Sequence, residues 1–68
     1  MNEKKFEVGT IFLYPYNEHT AIVVELIEPP MGYKKLSCFD MTDSVYYIEN
    51  DWDYLYERCE ILNADEKV

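Results

Sequence analysis

Nine residues, 20–28, alternate with period two between the polar stretch Asn17-Glu18-His19 and the turn Pro29-Pro30-Met31-Gly32. Ile22, Val24 and Leu26 fall on one side, and Ala21, Val23, Glu25 and Ile27 on the other. One side is wholly apolar and the other mixed, which predicts a half-buried β-strand with the apolar side turned to a core. A strand cannot stand alone in water, so its neighbours must supply partners.

The flanking residues provide candidates. Residues 10–14 are β-branched and aromatic and predict a strand that Pro15 ends or confines to an edge. Residues 34–41 predict a third strand and residues 45–48 a fourth, with a turn at 41–44 between them. Asn50 or Asp51 is placed to cap a short helical turn near 51–58, and residues 59–62 predict a last short strand. His19 falls in the predicted hairpin loop, and the ends, about 1–6 and 63–68, are expected to fray.

The fold class expected is therefore mainly β. It is a small antiparallel barrel or curved sheet, SH3-like in its order, with four to five strands and one short helical turn. The alternative is an α+β arrangement with a true helix packed on the sheet. At 68 residues the chain is one domain, 1–68, with only about 60 % of its unfolded surface available for burial. A hydrophobic share of 49 % and an aromatic share of 16 % fit a folded chain, not a disordered acidic tail.

The chemistry that can be read is mostly charge. Fourteen acids stand against six bases, for a net −8. Residues 1–39 carry −1 of that and residues 40–68 carry −7. Such a balance argues against direct binding to nucleic acid or anionic membrane, both of which require Lys and Arg. Trp52, Tyr54 and Tyr56 interleave with the acids of residues 49–57, as at a binding surface rather than a merely solvated one. Seven tyrosines exceed what so small a core can hide, so some must line that surface.

No constellation predicts catalysis or a cofactor, and the chain is read as a non-enzyme with no metal. Cys38 and Cys59 form no C-x-x-C pair and are expected as buried free thiols. A zinc site of His19, Cys38 and Cys59 would draw on scattered ligands. Glu49, Asp51, Asp53 and Glu60 have the spacing of an EF-hand loop, but Tyr54 stands where the sharp turn needs glycine.

An acidic, aromatic surface fits a basic partner. Asp40, Asp43, Glu49, Asp51, Asp53, Glu57 and Glu60 are the candidate carboxylates, with Trp52 and Tyr54 adding apolar contact. In size, acid balance and the character of residues 40–60 the chain resembles small phage-encoded DNA mimics. Among them it is similar to the host-takeover proteins of Bacillus phages, one of which targets the histone-like protein HU. Anti-CRISPR proteins and uracil-DNA-glycosylase inhibitors share that character. The resemblance implies an inhibitor that mimics DNA charge and binds a basic nucleic-acid-binding protein in the cytoplasm of a bacterial host; a symmetric homodimer would lengthen the charged face. The alternative is an SH3-like adaptor or small subunit that binds a peptide or protein through its aromatic surface.

Overall fold

The computed structural model describes residues 4–63. Five strands form one antiparallel sheet: β1 (Ile11–Tyr14), β2 (His19–Ile27), β3 (Lys35–Asp40), β4 (Val45–Glu49) and β5 (Glu60–Ile61). A single helix, α1 (Trp52–Glu57), lies between β4 and β5. The strand order is β4-β3-β2-β1-β5, a meander whose last strand returns beside its first. This is the SH3-like order the sequence predicts. The sheet stays open, because its edge strands β4 and β5 do not pair.

The helix forms where a cap is available. Asp51 Oδ1 accepts the backbone N–H of Tyr54 at 3.2 Å, satisfying one of the donors a helix start leaves free. Leu55, its one fully buried residue, anchors α1 over the sheet. There it joins Phe6, Phe12, Tyr14, Ala21, Val23, Leu36, Cys38 and Cys59 in the core. The element is thus a true α-helix docked on the sheet, six residues long in a mainly β fold.

The core side of β2 differs from the expectation. Ala21 and Val23 are buried while Val24 is 40 % exposed. The inward set is Ala21 and Val23, and a β-bulge lets Leu26 join it: Val23 pairs with Cys38 and Glu25 with Ser37, which leaves Val24 as an extra residue. Val24 and Glu25 are both exposed, and the alternation resumes one step later with Leu26 packed against the core.

Parts of the ends expected to fray are anchored. Phe6 is buried edge-on against Phe12, with ring centroids 5.3 Å apart. Lys4 Nζ donates to the carbonyls of Tyr56 and Cys59 at 2.9 and 2.6 Å. The Asn63 side chain accepts from Ile11 N and donates to Gly9 O, extending the β5–β1 ladder with an amide side chain. Residues 1–3 and 64–68 of the expected frayed segments lie outside the described residues.

Two four-residue turns, 15–18 and 41–44, bring the β1–β2 and β3–β4 ends together. Each ends on a non-glycine residue in the left-handed region, Glu18 at φ 61° and Ser44 at φ 60°. They are tied by Met41 N to Thr20 O at 2.8 Å and by Thr20 N to Thr42 Oγ1 at 3.0 Å.

Candidate functional site

The nine candidate residues fall into three places. Asp40 and Asp43 sit at the β3–β4 turn, beside His19, which the sequence places in the hairpin loop between β1 and β2. His19 is instead the first residue of β2, and its Nδ1 lies 2.9 Å from Asp40 Oδ2 and 3.6 Å from Asp43 Oδ2. Asp40 Oδ1 also accepts the N–H groups of Thr42 and Asp43, so this carboxylate holds the turn. The hydrogen bond to Asp40 raises the His19 pKa; burial opposes it and the charge of Asp43 adds to it. At Asp40 burial works upward, but the bonds from His19, Asp43 N and Thr42 N outweigh it and lower the pKa.

The second place is the start and flank of α1. Glu49 is half-buried: its Oε1 accepts the Tyr14 hydroxyl at 2.7 Å and its Oε2 the N–H of Asp51 at 3.0 Å. Because Tyr14 gives its only proton to Glu49, Tyr47 is the donor in the 2.6 Å contact between the two hydroxyls. Burial first, then these partners, push the Tyr14 pKa far upward. Burial likewise raises that of Tyr47, with the Tyr14 bond opposing. Glu49 and Asp51 therefore serve the fold. Asp53 and Glu57 are exposed one helical turn apart, about 5–6 Å between Cβ atoms.

The third place is β5. Glu60 pairs with Leu13, which puts it on the sheet face opposite the helix and apart from Asp53 and Glu57. No Lys or Arg ion pair with any of the seven carboxylates occurs among the described residues, where the only such contacts are those of His19.

The aromatics also divide. Tyr54 is half-buried against Tyr14 and Tyr16, at centroid distances of 6.3 and 6.0 Å. Trp52 lies on another side of α1, stacked on Tyr56 at 5.9 Å, with its indole N–H donated to Lys34 O at 2.8 Å. Trp52 and Tyr56 form one wall of a groove of about 480 Å³ that Phe6, Leu26 and Tyr33 complete, with Lys5, Glu7 and Lys34 at its rim. Sequence reasoning missed this groove, because its walls come from the N-terminal segment, β2, the β2–β3 loop and α1. Tyr16, Tyr33, Tyr46 and Tyr56 are exposed, as an excess of tyrosines over core space requires.

Neither metal arrangement considered from the sequence is assembled. Cys38 and Cys59 are buried free thiols, and burial pushes each to a pKa of about 11. Among the described residues, the one group of three possible ligands is His19, Asp40 and Asp43, already joined in the turn. No helix among the described residues is long and apolar enough to cross a membrane. No protein-family model, curated protein or solved structure matches the chain.

Proposed function

We propose that the chain is a non-enzymatic acidic binding protein that occupies the nucleic-acid-binding surface of a basic protein and excludes DNA from it. The observation that carries this reading is the state of Asp43, Asp53, Glu57 and Glu60. All four are exposed, and no Lys or Arg of the described residues pairs with them. The charge of Asp53, Glu57 and Glu60 is thus left for an external cation, while Asp43 also faces His19 Nδ1 at 3.6 Å. Duplex DNA presents about one negative charge per 1.7 Å of axis, and a folded domain with fixed carboxylates competes for the same Lys and Arg side chains. In a phage-encoded setting the target would be a basic protein of the bacterial cytoplasm, of the histone-like kind.

The test is binding to the histone-like protein HU as probe, across a salt series and against duplex DNA. Affinity is expected to fall steeply with salt and to be competed by DNA. A triple variant, Asp43→Asn with Asp53→Asn and Glu57→Gln, spares the cap at Asp51 and the bonded Glu49. It should remain folded and lose binding. Salt-independent binding, or full affinity in the triple variant, would overturn the reading.

The groove supports a second reading, an adaptor for a peptide with an apolar anchor and an acidic flank. Its volume lies within the range of ligand pockets, about 300–1,000 Å³, and Lys5 and Lys34 at the rim complement carboxylates. Under this reading Trp52→Ala weakens binding more than the triple charge change, and added DNA does not compete.

A further inference from the structure

Apart from Glu60 at its β5 edge, the far face of the sheet answers to neither the carboxylates nor the groove. Register aligns Ile11, Ile22, Phe39 and Tyr46 in one row across four strands. The row lies opposite the core, since Phe12, Ala21 and Cys38 alternate with it. The Phe39 and Tyr46 rings are 4.7 Å apart, and Tyr46 is 73 % exposed. Ile48, beside the row on β4, is 53 % exposed. An antiparallel sheet with one wet face turns polar residues outward; this one carries an apolar row there as well, with Thr20 and Ser37 beside it. The charges that strand pairing puts on the far face are Glu25, Lys35 and Glu60, a net −1 of the chain's −8.

We infer that this face is covered by a second copy of the chain, in a two-fold, sheet-on-sheet dimer. Charge selects the occupant. A basic partner is drawn to the carboxylates and not to this row. A copy approaching by the helix flank would set acid against acid, whereas the far face brings little charge to the contact.

Size is consistent with this. Four strands about 4.8 Å apart, each about five residues at about 3.4 Å, make a face of about 330 Å² in projection. A side-chain-covered face exposes roughly twice that, so two copies bury on the order of 1,200 Å², the lower edge of specific interfaces. The row can cross its own copy because isologous contact needs only one self-complementary patch. A chain of 68 residues with a one-sided core also gains from burying a second face. In such a dimer both α1 helices point outward, so the acidic flanks stand at opposite poles.

The proposal is independent of the proposed function, since oligomeric state tests one and partner binding the other. Sedimentation equilibrium of the full chain from micromolar to millimolar concentration is expected to give twice the 8.2 kDa chain mass. Tyr46→Glu changes an exposed residue on an edge strand and should weaken dimerisation about tenfold or more while far-UV circular dichroism is unchanged. Tyr33→Glu, exposed but off this face, should leave the dimer intact. In a mixed labelled and unlabelled wild-type sample, isotope-filtered NOEs should join Ile22, Phe39 and Tyr46 across the interface. A monomer at millimolar concentration would overturn the inference. So would a dimer indifferent to Tyr46→Glu, or intermolecular contacts located at the groove or the helix flank.

Discussion

The hydroxyl of Tyr14 on β1 stands 2.7 Å from Oε1 of Glu49 on β4, although β2 and β3 separate the two strands in the sheet. In a flat sheet β1 and β4 would be about 14 Å apart. Two tyrosine side chains and an inward curl close that gap, with Tyr47 donating from the β4 side. The network draws β1 and β4 together over the core without a strand pairing between them.

Tyr14→Phe removes both bonds and leaves a half-buried carboxylate with only the Asp51 N–H. The expected loss is about 1–3 kcal/mol, with the fold retained. For a chain of this size that lowers Tm by about 4–8 °C per kcal/mol, read by thermal circular dichroism. A double-mutant cycle with Tyr47→Phe should give a clear coupling energy, because the two hydroxyls share one chain of bonds.

The His19–Asp40 pair makes stability depend on pH with a definite sign. The folded state raises the His19 pKa, so its contribution is full below the ordinary 6.5 and is lost as pH rises through the raised value. The folded state lowers that of Asp40, so its contribution is present above the ordinary 3.8 and is lost as pH falls through the lowered value. Urea midpoints measured across this range should be highest between the two limits. In His19→Gln the decline on the neutral side should disappear.

Asp51→Ala removes the cap of α1 and should destabilise by about 0.5–2 kcal/mol. Asp53→Ala, two residues on and exposed in the first turn, should change stability by less than about 0.5 kcal/mol. Urea denaturation of the two variants distinguishes a carboxylate that serves the helix from one left to solvent.

Ser44 holds a left-handed backbone conformation, φ 60°, that an L side chain disfavours. Ser44→Gly should therefore stabilise the chain by about 1 kcal/mol, with the β3–β4 pairing unchanged. Chemical denaturation gives the free energy, and amide exchange confirms the turn bond from Ser44 N to Asp40 O.

Most of the fold was legible because each strand and the helix carry their own signal. Pro15 ends β1, the Pro-Pro-Met-Gly turn separates β2 from β3, and Asp51 marks the start of α1. The core side of β2 was not legible. One inserted residue, Val24, breaks the period-two count, and nothing in its chemistry says that it bulges. The carboxylates were legible as a class but not by role. Whether an acid faces solvent, like Asp53, or accepts a tyrosine hydroxyl from another strand, like Glu49, depends on long-range contacts. The groove and the far face share that origin, since both are assembled from several separate segments of the chain.

β5, the last strand among the described residues, lies against the first, with Leu62 N donating to Ile11 O and Asn63 completing the seam. During synthesis on the ribosome β1 emerges early and waits, one edge bare, until β5 leaves the exit tunnel. A nascent chain halted before residue 60 can pair its first four strands but offers an open edge to its neighbours. The seam therefore closes β1's second edge only once residues 60–63 are in place, some fifty positions after β1 itself.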